Sequence, residues 1–143
     1  MLENFIVIDA NFILMPFQFK IDYLPEIAAT LEGNVNFIVY KQVLDELNAK
    51  KLREPNATKF LMNLKSGLGY LDKNDKKYNI LYLQNVKLKE ETTDSFLLKS
   101  CQELKGEHKK VYLATNDTYL RRKARNIGIK TIFLRQKKYL SFE

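Results

Sequence analysis

Four acids in this chain, Asp9, Glu46, Asp94 and Asp117, stand where acids do chemistry rather than where they merely solvate a surface. Asp9 closes an apolar run, Glu46 lies in a helix that follows a second such run, Asp94 opens a helix after Thr93, and Asp117 follows the run Val111–Ala114. In open parallel sheets ligands gather at the carboxyl ends of the strands, where strand ends and helix starts converge. Carboxylates brought to one point repel, which raises the pKa of some of them and favours a neutralising cation. Oxygen donors without Cys or His select Mg²⁺ or Mn²⁺, and such an ion acidifies water and stabilises charge on phosphorus. The reaction class is therefore phosphodiester hydrolysis. Each acid also has a structural alternative: Asp117 as an N-cap, Asp94 as a first-turn partner of the helix dipole, Asp9 as an Asx-turn residue. Asp45 is a spare candidate beside Glu46.

Elements that would bring these acids together are legible in the apolar pattern. Asn4–Asp9 is a continuous apolar run of the kind found in strands buried on both faces. Asp22–Leu31 places Leu24, Ile27, Ala28 and Leu31 at helical spacing and is closed by Gly33. A second strand, Asn36–Tyr40, leads into a helix over Val43–Leu52. Asn56 and Thr58 precede Phe60, Leu61 and Leu64, which predicts a helix ending near Gly67 and Gly69. A lysine-rich turn over Asp72–Asn79 and a weak strand, Asn79–Leu83, follow. Thr92 or Thr93 caps a helix bearing Phe96, Leu97, Leu98, Cys101 and Leu104, ended by Gly106. Val111–Ala114 is a compact strand, Leu120, Ala124 and Ile127 form the core stripe of a helix stopped by Gly128, and Thr131–Leu134 is a last strand before a basic, aromatic tail. Strands alternating with helices predict an α/β fold, a central parallel twisted sheet with helices on both faces, in one domain over residues 1–143.

Composition narrows the classes. The chain has 143 residues, enough for one core without disulfides or a structural metal. The single Cys101 forms no intrachain disulfide, and with only His108 beside it a zinc site cannot be assembled. Cys101 sits among apolar residues and reads as a small buried hydrophobe. The apolar stretch Phe5–Phe17 is broken by Asp9 and Asn11, falls short of about 20 residues, and lacks a basic leader, so the expectation is a soluble cytoplasmic protein with no membrane association. With 24 Lys+Arg against 17 Asp+Glu the net charge is +7, which suits a polyanion such as RNA, although lysine-rich surfaces also serve solubility. The five glycines form neither a Rossmann nor a P-loop fingerprint, and His108 has no oriented partner for a Ser or Cys nucleophile.

Arg121 and Arg125 share one helical face by i, i+4 spacing, flanked by Arg122 and Lys123. With Lys137 and Lys138 in the tail they are the candidate RNA-binding cations, and Tyr119 or Tyr139 could stack on unpaired bases. Met15, Phe17, Phe19 and Tyr23 cluster near the first acid and read as core, with a dimer face as the alternative.

The segments Val7-Ile8-Asp9-Ala10-Asn11-Phe12, Val43-Leu44-Asp45-Glu46-Leu47, Thr93-Asp94-Ser95-Phe96-Leu97 and Ala114-Thr115-Asn116-Asp117 resemble, in order and spacing, the PIN-domain nucleases. The resemblance spans nearly the whole chain. It is strongest to archaeal members similar to the eukaryotic small-subunit ribosomal RNA-processing PIN factors. The tail from Leu120 to Tyr139 favours that branch over the toxin-type, VapC-like ribonucleases. The resemblance implies an endoribonuclease whose Asp9, Glu46, Asp94 and Asp117 hold one or two Mg²⁺ or Mn²⁺ ions, with Asn11 and Thr115 orienting water, metal or phosphate. It also implies a homodimer, and a ribosome precursor or an antitoxin as partner. The chain departs from the pattern at Thr93, where related sequences often carry a second acid, and at Ala10, where a hydroxyl residue is commoner. Those departures motivate an alternative from another class, a PIN-fold RNA-binding or ribosome-assembly module without strong catalysis.

Overall fold

The computed structural model describes residues 1–143 as a six-stranded sheet wrapped by six helices. Strand β1 (Glu3–Ile8) lies at the centre, with β2 (Asn34–Tyr40) and β3 (Asn79–Leu83) on one side and β4 (Lys109–Ala114) and β5 (Lys130–Arg135) on the other. All of these pair in parallel. Ile6, Val7 and Ile8 are all fully buried, as are Phe37 and Val39 with Ile38 essentially so. Successive strand residues point to opposite faces, so both faces of the central strands are covered by helices, as the continuous apolar runs predict.

The chain moves outward from β1 to β2 and β3, then crosses back over α5 (Thr93–Leu104) to β4 and continues outward through α6 (Thr118–Asn126) to β5. The order therefore reverses between β1 and β4, and their carboxyl ends open a crevice there. Ile8 is in register with Ala114, and the Asp9 N–H donates to the Ala114 carbonyl at 3.0 Å, so Asp9 and Thr115 leave the sheet side by side. At the amino end a polar ladder closes the sheet: buried Asn4 donates to the Glu32 and Asn34 carbonyls, and Asn36 donates to Glu3 and to the Asn4 carbonyl.

Five features differ from the sequence reading, among them the exposure of Phe17, an expected core residue. Helix α1 (Ala10–Gln18), a stretch to which the apolar pattern assigns no element, forms with Pro16 inside it, N-capped by Asp9. Burial of Phe12, Ile13 and Met15 outweighs the hydrogen bond that Pro16 cannot donate. Beyond it, α2 (Tyr23–Thr30) and α3 (Lys41–Arg53) match their predicted spans within a few residues, and Tyr23 is buried while Phe17 is exposed. Helix α4 (Thr58–Asn74) does not stop at Gly67 or Gly69 but runs through both, shortening the lysine-rich turn. Gly67 is a contact residue: a Cβ built there would lie 1.9 Å from the Ile13 carbonyl oxygen, so its absence lets α4 lie directly on α1.

Ile127 ends α6 more exposed than a core residue, while Leu120 and Ala124 are buried as the stripe predicts. The basic tail forms a sixth strand, β6 (Tyr139–Phe142), antiparallel to β5. Gln136 and Lys137 turn the hairpin at φ 53° and 57°, a left-handed conformation usually given to Gly or Asn, which is why no turn signal announced it. No helix is long and apolar enough to cross a membrane. Cys101 is buried, and burial pushes its thiol pKa up to about 12, as expected of a packing residue.

Candidate active site

Asp9 sits at the mouth of the crevice between β1 and β4, and every hydrogen bond around it pins its carboxylate in one orientation. Its Oδ1 accepts from the Ala10 N–H at 2.8 Å, capping α1, and its Oδ2 accepts from the Thr115 hydroxyl at 2.8 Å and the Asn11 amide at 3.2 Å. The Asn11 amide also donates to Thr115 Oγ1 at 3.2 Å, and Asn11 Oδ1 accepts from the Asn116 N–H at 2.9 Å. Thr115 Oγ1 accepts in turn from the Asp117 N–H at 3.1 Å. Asn11 and Thr115 thus join the start of α1 to the end of β4. Asn116, which the motif reading quoted without a role, anchors the same loop to β5 by accepting from the Leu134 N–H at 2.8 Å.

The four acids come from four segments: Asp9 from the end of β1, Glu46 from within α3, Asp94 from the start of α5 and Asp117 from the start of α6. Burial pushes the Asp9 pKa above the ordinary carboxylate value; the bonds from Thr115 and Ala10 oppose that, and the charges of Asp94 and Asp117 add to it. Asp94, in the first turn of α5, is also raised, first by burial and then by Asp117, with Glu46 adding and Lys123 opposing. Asp117 caps α6 by accepting from the Leu120 N–H at 3.0 Å, so its structural alternative is realised by one oxygen while the residue stays exposed to the crevice. Asp9 likewise caps α1, and Thr92 takes the cap of α5.

Glu46 is the most loosely joined of the four. Its carboxylate accepts a short hydrogen bond from the Thr93 hydroxyl, linking α3 to the start of α5. Thr93, noted in the sequence only as a departure, is therefore a residue of this site. Asp45 faces away and pairs with Lys41 at 2.8 Å, so Glu46 is the acid of that pair that reaches Asp94. The side chains feel one another's charge, but no three Asp, Glu, His or Cys groups stand close enough to grip one ion between them. All-oxygen donors of like charge nevertheless suit a hard divalent cation, which would draw them inward.

The candidate RNA-binding cations divide into two sets. Arg121 is half-buried, with its guanidinium 3.7 Å above the Phe133 ring, and its Nε has no partner. Burial lowers its pKa, and Arg125 adds to that. Arg125 and Arg135 both pair with Glu143 near the end of β6, at 3.2 and 3.1 Å. Arg121 is thus packed against the hairpin, while Arg125 stays exposed and is tied to it through Glu143. Arg122, Lys137 and Lys138 are exposed, and Lys123 lies 4.2 Å over the Tyr119 ring, within charge reach of Asp94.

The comparisons agree with this architecture. A family model described as PIN domain matches residues 6–135. Among solved structures, one described as the PIN domain endonuclease Utp24 is 22% identical with a TM-score of 0.65, covering 97% of this chain and 90% of that one. A domain of a functionally unknown protein from Methanocaldococcus jannaschii DSM 2661 is 17% identical with a TM-score of 0.62, covering 92% and 91%. No curated protein matches significantly.

Proposed function

The chain belongs to the PIN domain family, and from that premise we propose that it is a divalent-metal-dependent endoribonuclease that hydrolyses RNA phosphodiesters, with ribosomal RNA precursors as its substrate class. The observation that carries the reading is Asp9: a fixed, mostly buried carboxylate whose charge is disfavoured by burial and by Asp94 and Asp117 at the switch point of the sheet. A site of this kind binds a cation to relieve its own repulsion. Asp9, Asp94, Asp117 and Glu46 would hold Mg²⁺ or Mn²⁺, which when bound supplies charge for the developing phosphoryl oxyanion and acidifies water.

The chain's own groups do the rest. Asn11 and Thr115 hold the Asp9 carboxylate in one orientation, so that no reorganisation is needed at the moment of reaction. Glu46 leaves Thr93 to join the other acids. Lys123 balances Asp94 and, with Arg122, Lys137 and Lys138, neutralises substrate phosphates. Arg121 and Arg125 contribute by fixing α6 on the hairpin.

One observation favours a second reading, a PIN-fold RNA-binding or assembly module: Glu46 is tied to Thr93 and the acids do not converge. Incubating labelled single-stranded and hairpin RNA with the purified protein in Mn²⁺, in Mg²⁺ and in chelator separates the two. Metal-dependent internal cutting supports the nuclease; binding without cutting in either metal supports the module.

A further inference from the structure

Beside the acids, α1, α3 and α4 enclose a cleft of about 440 Å³, lined among others by Asn11, Leu14, Glu46, Lys50, Arg53 and Phe60. That volume lies within the roughly 300–1,000 Å³ of small-ligand sites and accommodates a single nucleotide. Two of its residues, Asn11 and Glu46, belong to the acid site, so the cleft is continuous with the reaction centre. Its far wall is different in character: Lys50 and Arg53 enter no ion pair within the chain, and Lys50 Nζ lies 4.6 Å over the Phe60 ring. Neither cation was among the sequence candidates, because the α3 run Lys50-Lys51-Leu52-Arg53 reads as an ordinary basic helix end.

We infer that this cleft receives the nucleotide next to the cleaved phosphate, with its base against Phe60 and Leu14 and its phosphate held by Lys50 and Arg53. The inference rests on the nuclease reading and adds the path of the strand. The chemistry is that of single-stranded RNA recognition: an aromatic face for a base and unpaired cations for the backbone. Lys50 is a placeholder on Phe60 in the free protein, since a cation over a ring in water is bound more weakly than a stacked base. On binding it moves to the phosphate. The strand then runs from Arg122 and Lys123 on α6, across the acids, into the cleft between α3 and α4. A duplex cannot follow that path, because an unstacked base is needed to fill the cleft.

The test uses chelator, so that binding is read without cleavage. Wild-type protein and the variants Lys50→Gln with Arg53→Gln, and Phe60→Leu, are titrated by fluorescence anisotropy against one single-stranded RNA, intact and with an abasic position walked along it. Thermal unfolding verifies that each variant is folded. Losing two phosphate contacts should weaken binding and flatten the plot of log K against log salt by about 1.4, at about 0.7 per contact. One abasic position should cost the wild type about fivefold or more, and should cost Phe60→Leu nothing. Unchanged salt slope in the double variant, or equal abasic sensitivity in Phe60→Leu, overturns the cleft while leaving the nuclease reading intact. A wild type that binds no RNA here and cuts none in Mn²⁺ or Mg²⁺ removes both.

Discussion

Replacing Gly67 by Ala should damage both the fold and the site, while the same replacement at Gly69, two residues along the same helix, should do the opposite. At Gly67 the new Cβ would lie 1.9 Å from the Ile13 carbonyl oxygen and 2.9 Å from its carbon, against the 3.0 Å that real Cβ contacts respect. One helix must retreat by about 1 Å, and the obstacle is backbone rather than a side chain that can swing aside. Overpacking of this kind costs about 3 kcal/mol, and the helix regains about 1 kcal/mol from Ala, leaving a net loss of about 2 kcal/mol. For 143 residues each kcal/mol is worth about 3 °C, so Tm should fall by about 6 °C. Nothing lies within 4 Å of a Cβ at Gly69, so Gly69→Ala should raise Tm by up to about 3 °C. Because α1 is capped by Asp9, its retreat should also lower cleavage by Gly67→Ala more than the loss of folded protein explains. Urea unfolding and cleavage rates at 20 °C measure both effects. A Gly67→Ala protein as stable as Gly69→Ala would refute the claim that α4 rests on α1 through this glycine.

Three further outcomes follow from the charges. Asp94 has a raised pKa in the fold, so its ionised form costs stability at neutral pH, a cost that fades as pH falls through the folded pKa towards the ordinary value. Asp94→Asn without metal should therefore unfold above the wild type at pH 7, the gap closing in acid, as scanning calorimetry between pH 3 and 7 would reveal. Arg121→Ala should lose about 0.5–1 kcal/mol of stability through Phe133 yet leave the RNA salt slope unchanged, whereas Arg122→Gln and Lys123→Gln should each flatten it by about 0.7. Thr93→Val frees Glu46 from its hydrogen bond, and should tighten Mn²⁺ binding measured by its protection against thermal unfolding.

The central strands were legible because parallel strands buried on both faces are written as unbroken apolar runs, and β1, β2 and β4 are such runs. Once their alternation with helices is read, Asp9 and Asp117 fall at strand ends, and the switch point between β1 and β4 brings them together. What stayed hidden depends on contacts that no local pattern encodes. Helix α1 has only Asn11 and Gln18 as polar residues and contains Pro16, so it shows neither a broad polar face nor an uninterrupted helical run. Gly67 reads as a stop signal unless the neighbouring helix is known, and the Gln136–Lys137 turn carries no glycine. Spacing put Arg121 and Arg125 on one face, but only the hairpin shows that Arg121 stacks on Phe133 and that Arg125 pairs with Glu143. The role of Thr93 required the register between α3 and α5.

The central claim is that Asp9 and its neighbouring acids carry metal-dependent hydrolysis of RNA. Asp9→Asn keeps the acceptor for the Ala10 N–H and hence the cap of α1, but places an amide donor where Oδ2 accepts from the Thr115 hydroxyl and the Asn11 amide, which is why its folding is measured beside its activity. Wild type and Asp9→Asn should be compared on one labelled single-stranded RNA in Mn²⁺, with the folding of each verified in the same buffer. The account predicts internal cutting by the wild type, abolished by chelator and absent from the folded variant; equal cutting by the variant would contradict it.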